Sequence, residues 1–303
     1  MISTTCNIID EIRILNVSQV FCGKELIKVE ELQMMAKPKD LVMDLFGDYV
    51  RYMGGSIRVG QLTQLLELFE VEPATARVTL SRMRKDGWFE TERHGREISY
   101  QATDKLMKIL EDGRERIFSK AQPVWVGRWT TVMFEPSVLG KVETKLLSTG
   151  LQWEGFAQLN SSSWICPRDV REKIRGKYAT QDGSVFVANL WSGSLEEDKR
   201  LAETCWDLAG ISEVYKNFIE RWRGKLAGGI ESLSAEQALI ARVRMVNEYR
   251  SFIYQDPMMP RALLPEAWCG DEAFSFLTDM HRDLGPLAME AVAEVLFAEA
   301  AEK

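Results

Sequence analysis

With 303 residues, 46% hydrophobic and 27% charged, the chain is long enough for two or three domains and has the composition of a soluble globular protein. No apolar run nears the roughly 20 residues that span a bilayer, so no membrane-spanning helix is expected, and the five cysteines form neither a CxxC pair nor a Cys/His cluster, so neither a disulfide framework nor a structural zinc site is supported and a reducing cytoplasm fits best. The net charge of −7 argues against nucleic acid for the molecule as a whole, although local charge distribution sets the electrostatic footprint.

Residues 1–36 form a poorly defined N-terminal extension in which short apolar patches alternate with charge; they lack the basic opening of a secretory signal. Met34-Met35 offers an alternative start. From Pro38 a helix carries Leu41, Leu45, Tyr49 and Tyr52 at helical spacing and ends at Gly54-Gly55. Its Asp40, Asp44 and Asp48 share a face that phosphate would repel. A short strand at Ile57–Val59 precedes helices at Gly60–Phe69 and Pro73–Asp86, separated by a three-residue break. Strands Phe89–Arg93 and Arg96–Gln101 then flank a His94-Gly95 turn. This order is that of a winged helix-turn-helix domain over residues 37–121, closed by a helix that Thr103 or Asp104 caps.

On the second helix of that motif, Ala76, Leu80 and Met83 form the inward face. The opposite face carries Ala74, Arg77, Val78, Ser81, Arg82 and Lys85, and residues 73–85 contain four basic residues and no acid. Arg77 and Arg82 are the first candidates for base or phosphate contact, because a guanidinium can bind guanine O6/N7 bidentately. Thr75 and Ser81 are candidate phosphate donors; Arg93, His94 and Arg96 at the wing could reach an adjacent groove.

After Gln122-Pro123 the periodicity changes. Strand Arg128–Phe134, helix Pro136–Thr149, strands Gln152–Leu159 and Ser163–Ile165, helix Arg168–Lys177 and strand Val185–Leu190 give the βαββαβ order of a ferredoxin-like domain over residues 122–200, with Gly193–Arg200 as a charged connector. Residues 201–303 read as an all-helical domain, so the fold class is α+β. Ser234 and Gln237 make a capping box for a long helix that ends near Gln255, before Asp256-Pro257. Helices Asp271–Asp283 and Pro286–Ala301 follow a proline-punctuated loop.

Three segments resemble one family. The runs LFGDYVRYMGGSIRVGQLTQLL and ARVTLSRMRKDGWF, the central GRWTTVMFEP with GLQWEGFAQLNSSSWICP, and the C-terminal EYRSFIYQDPMMPRALLPEAWCG are similar to the PaaX family, the phenylacetic-acid catabolon repressors of bacteria. The resemblance runs from about Lys37 to the C-terminus. It implies a homodimer that represses aromatic-acid catabolic genes from a palindromic double-stranded operator. It also implies release by an acyl-CoA effector, typically phenylacetyl-CoA, and a middle domain related to the small CRISPR-associated endoribonuclease fold. The chain departs from the family in its first 36 or so residues and in the Met258-Met259 of its DP loop, which leaves the effector open.

Candidate effector residues lie elsewhere. Arg250 falls within the apolar stripe of Leu239, Val243, Val246 and Ile253, which suits either a salt bridge, for instance to Asp256, or an anion site for a CoA phosphate. Tyr249 and Trp268 could wall an aryl pocket, and Trp125 and Trp129 sit at a domain boundary where ligand clefts form. No nucleotide-binding or nucleophile-elbow motif is present, and His94 and His281 are the two histidines; no catalytic residue, metal ligand or cofactor is expected. Two alternatives remain open: a metal-dependent nuclease centred on the middle domain, where Glu135 follows the first strand, and a winged helix used for protein contacts.

Overall fold

The computed structural model describes residues 37–95, 97–119, 124–180, 183–253 and 256–298. The expectations for residues 1–36, the Gln122-Pro123 boundary and Arg96 lie outside them. The fold is α+β with two small antiparallel sheets. It divides into a terminal unit (37–119, 213–253 and 269–298) and a central unit (124–212 and 256–268).

Pro38 occupies the first turn of α1 (Pro38–Asp48), where its missing N–H costs nothing, and Leu41, Leu45 and Phe46 are buried. The α-helix ends earlier than its apolar spacing suggests. A 3₁₀ turn at Val50–Tyr52 takes over, and Gly54 and Gly55, at φ 99° and 71°, turn the chain into β1 (Ser56–Arg58). Then follow α2 (Val59–Glu67), α3 (Pro73–Lys85), β2 (Phe89–His94) and β3 (Glu97–Ala102). The strands pair antiparallel in the order β1-β3-β2. Phe89 contacts Phe46 at 4.8 Å and Tyr100 at 5.3 Å between ring centroids, tying sheet to α1.

Thr103 caps α4 (Asp104–Phe118): its Oγ1 accepts from the Leu106 N–H at 3.4 Å and its hydroxyl lies 2.9 Å from the Gly87 carbonyl. Thr103→Ala is expected to cost about 1–2 kcal/mol in urea denaturation, with Thr103→Ser recovering most of it.

The central unit begins with β4 (Trp129–Phe134), α5 (Pro136–Leu139), α6 (Lys141–Trp153), β5 (Ala157–Asn160), β6 (Ser163–Cys166), α7 (Arg171–Tyr178) and β7 (Val185–Leu190). Its sheet order β5-β6-β4-β7, antiparallel throughout, is that of a ferredoxin-like sandwich. The single helix expected over 136–149 is two: Gly140, at φ 90°, breaks it, and α6 runs on to Trp153, so the second strand starts at Ala157 rather than Gln152. Val132, Phe134, Leu151, Trp164 and Ile174 fill one side of the sheet.

The expected connector at 193–200 is instead the start of a helix, α8 (Leu195–Cys205). Ser194 caps it by accepting from the Glu197 N–H at 3.2 Å, and Glu196, Glu197 and Asp198 sit in its first turn, where the helix dipole favours anions. Helix α8 packs near β5 and against the 3₁₀ turn at Arg261–Leu263.

The remaining helices are α9 (Leu208–Lys225), α10 (Ala235–Ile253), α11 (Gly270–Asp283) and α12 (Gly285–Phe297). The capping box is present: the Ser234 N–H donates to Gln237 Oε1 at 2.9 Å and the Gln237 N–H to Ser234 Oγ at 3.2 Å. Within the terminal unit α10 packs on α1, α4, α11 and α12, and α12 packs on α2. There the Gln61 side chain donates to the Leu296 carbonyl at 2.9 Å while accepting from the Arg58 N–H. Among the described residues no helix is long and apolar enough to cross a membrane.

Candidate nucleic-acid interface

Helix α3 is held on one face and bare on the other. Ala76, Leu80 and Met83 are buried at the predicted i, i+4, i+7 spacing, against α1, α2 and β2. Thr75, Arg77, Val78, Arg82, Arg84 and Lys85 are exposed and Ser81 is half-buried. Rows one helical turn apart run Arg77–Ser81–Lys85 and Ala74–Val78–Arg82. None of Arg77, Arg82, Arg84 or Lys85 holds an ion pair with a described residue. Arg82, Arg84 and Lys85 lie in the last turn, where the dipole alone favours cations. Arg77 lies in the N-terminal half, so that explanation does not reach it.

The β2–β3 hairpin is mixed in charge. Arg93 is exposed and its Nε donates to the Gly95 carbonyl at 3.1 Å, but Glu90, Glu92 and Glu97 are exposed on the same two strands. Glu97 pairs with Arg58 at 3.2 Å. His94 pairs with Glu97 through the strand register; its side chain, like Arg96, lies outside what the structure describes.

Behind this motif, Asp44 and Asp48 of α1 face α10 and α11. Asp44 accepts from both terminal nitrogens of Arg250, at 2.5 and 3.2 Å, and from Asn247 Nδ2 at 3.0 Å. Arg250 therefore pairs with Asp44, and Asp256 accepts from the Met258 N–H. Asp48 lies 2.8 Å from His281 Nε2 and 3.5 Å from Arg242, whose Nε donates to the His281 carbonyl. Arg242 also lies over the Tyr49 ring, and burial pushes that phenol up to about 12. Burial raises the Asp44 carboxyl above its ordinary range against the pull of Arg250. For Asp48 burial acts the same way, but the His281 contact and the charges of His281, Arg242 and Arg114 outweigh it and the carboxyl is lowered.

The candidate effector residues fall on both units. Trp129 and Trp125 share the Asp198 carboxylate in the central unit: Trp129 Nε1 donates to Oδ1 at 2.6 Å and Trp125 Nε1 to Oδ2 at 3.0 Å, with Ser192 Oγ adding a third bond at 2.6 Å. Trp129 is fully buried, edge-on to Trp125 and stacked on Trp206. Trp268 is also buried in that unit. Tyr249, in the terminal unit, is buried in an aromatic cluster with Tyr215, Phe218 and Phe252.

Glu135, the acid of the nuclease alternative, accepts from the Ser137 N–H and hydroxyl. It borders an open groove of about 630 Å³ with Met133, Val138 and Phe186. Among the described residues no group of three or more His, Cys, Asp or Glu could hold a metal ion.

The buried partners of Asp44, Asp48 and Asp198 were not visible in sequence reasoning. The one available signal was the i, i+4 spacing of Asp44 and Asp48 among the apolar residues Leu41, Val42, Met43, Leu45 and Phe46.

Three family models match in chain order: PaaX-like protein over residues 37–106, the PaaX protein central Cas2-like domain over 122–201, and the PaaX-like protein C-terminal domain over 206–294. The chain is 28% identical over 265 residues to the transcriptional repressor PaaX of Escherichia coli (strain K12), covering 84% of this chain and 82% of that protein. It resembles the solved structure of the uncharacterized protein Rv0674 from Mycobacterium tuberculosis, with a TM-score of 0.53 and 21% identity over 77% of this chain and 90% of that one, a likeness of fold alone.

Proposed function

The chain belongs to the PaaX family, and from that premise we propose that it is a DNA-binding transcriptional repressor whose residues 37–119 form a winged helix-turn-helix with α3 as the recognition helix. The observation that carries this is the acid-free, cationic, exposed face of α3 on a protein of net charge −7. Such a face neutralises phosphates, and its arginines can read guanine edges. The mixed charge of the hairpin makes the wing the lesser contributor.

The finer reading rests on the family resemblance of the sequence. The protein acts in the cytoplasm as a homodimer on a palindromic operator, controls aromatic-acid catabolic genes, and is released by an acyl-CoA of the phenylacetyl-CoA type. Release requires the effector to bind the DNA-free conformation more tightly than the bound one. Thermal-shift screening of acyl-CoA thioesters against free aromatic acids identifies the effector class.

Mobility shift on promoter against random duplexes tests the DNA reading. Arg77→Ala and Arg82→Ala are each expected to weaken promoter binding about tenfold, and each lost phosphate contact to lower the salt slope by about 0.9. Wild-type affinity and slope in both variants would remove α3 from the interface.

A further inference from the structure

We infer that Val78 reads the C5-methyl group of a thymine, so that the recognition face selects a T at one fixed position of each half-site. The inference rests on α3 being the DNA-recognition helix. Val78 is 51% exposed at the middle of α3, on a face whose other side chains, Ala74 apart, are polar or cationic. A valine there is a poor local choice: its branched Cβ lowers helix propensity, and with half its surface in water it gains little packing in return. A position chosen for helix stability alone would favour Ala, Glu, Lys or Arg. A local choice that works against the element points to a role in contact.

The surroundings select the occupant. Ala74 lies one turn before Val78 in the same row, and helical side chains lean toward the N-terminus, so the two form a short apolar strip. Arg77 and Ser81 border it on one side and Arg82 closes its C-terminal end. An apolar strip framed by guanidinium groups suits the major groove of duplex DNA, where the thymine methyl is the apolar group among base-edge donors and acceptors. The position lies in the N-terminal half of the helix, the part that meets base edges in helix-turn-helix docking. A protein partner would be held by the same arginines only through acidic groups, and the strip would then show no dependence on base methylation.

The test uses the full-length chain. A duplex is selected from a random-sequence library, and each thymine is then replaced singly by deoxyuridine, which lacks only the methyl. Wild-type protein is expected to lose about three- to tenfold in affinity at one thymine per half-site, the size set by burying one methyl group. Val78→Ala is expected to bind the unmodified duplex that much more weakly and to show under a twofold deoxyuridine effect at the same position. Val78→Thr, which keeps a γ-methyl, is expected to retain the effect. Circular dichroism confirms that α3 stays folded, as alanine and threonine at an exposed site allow. A selected duplex at which no thymine responds, or equal sensitivity in Val78→Ala, overturns the assignment while leaving the DNA-binding reading intact. Failure to enrich any duplex overturns both.

Discussion

The Asp48→Ala protein is expected to lose about 3–5 kcal/mol of stability, because the substitution strands Arg242 and His281 in a buried setting without their anion. Their side chains are only 10% and 12% exposed, so water does not replace the lost partner. Urea unfolding at neutral pH measures the loss, and a deficit under 1 kcal/mol would show that the network contributes no net stability. The pH dependence carries a sign. The Asp48 carboxyl is lowered in the folded protein, so its stabilisation is complete above the ordinary value of 3.8 and is lost as pH falls through the lowered value. Asp44 behaves oppositely. Its carboxyl is raised, the folded protein takes up that proton before the unfolded chain does, and its ionised form costs stability that is recovered as pH falls. Asp44→Asn, which keeps an acceptor for Asn247 and Arg250, is therefore expected to lose less than Asp48→Ala.

Trp129→Ala is expected to cost about 3–5 kcal/mol in the central unit. The ring is wholly buried, stacks on Trp206 at 6.1 Å and meets Trp125 at 5.0 Å, so its removal leaves a cavity and takes a hydrogen bond from a buried carboxylate. Asp198, 3% exposed, would keep Trp125 and Ser192 as donors but lose its shortest indole contact. Thermal unfolding followed by near-ultraviolet circular dichroism separates two roles. A structural tryptophan lowers the melting temperature without ligand. A tryptophan that only walls a ligand site leaves the unliganded protein as stable as wild type and abolishes the thermal shift with acyl-CoA.

Features governed by local chemistry were legible in the sequence. Pro38 and Pro73 at helix starts, the Ser234–Gln237 box, the buried row Ala76–Leu80–Met83 and the βαββαβ order are all local signals, and each is present. Structure and local pattern part where a second local signal competes. Gly140 sits inside an otherwise helical stretch, and its positive φ divides the helix, whereas the apolar period reads straight through it. At 193–200, dense charge suggested a connector, yet Ser194 and three acids in the first turn are good helix starters. What could not be read was pairing over distance. Asp44 meets Arg250 across 206 positions and His281 meets Asp48 across 233, and one sequence carries no record of such contacts. The exposed side of α3 was legible for a related reason: exposure follows from the buried face opposite and needs no distant partner.

Closure of α2 by Gln61 and the Leu296 carbonyl has a practical corollary. The segment 37–119 is not a portable cassette. Cut out by itself, it would present the α1 carboxylates and the α2 surface against which α12 packs directly to solvent. On the proposed reading of α3 as the recognition helix, a transplant of its sequence specificity into another regulator has to bring α10–α12 along with residues 37–119, or else leave this scaffold intact and exchange only the outward-facing positions of α3.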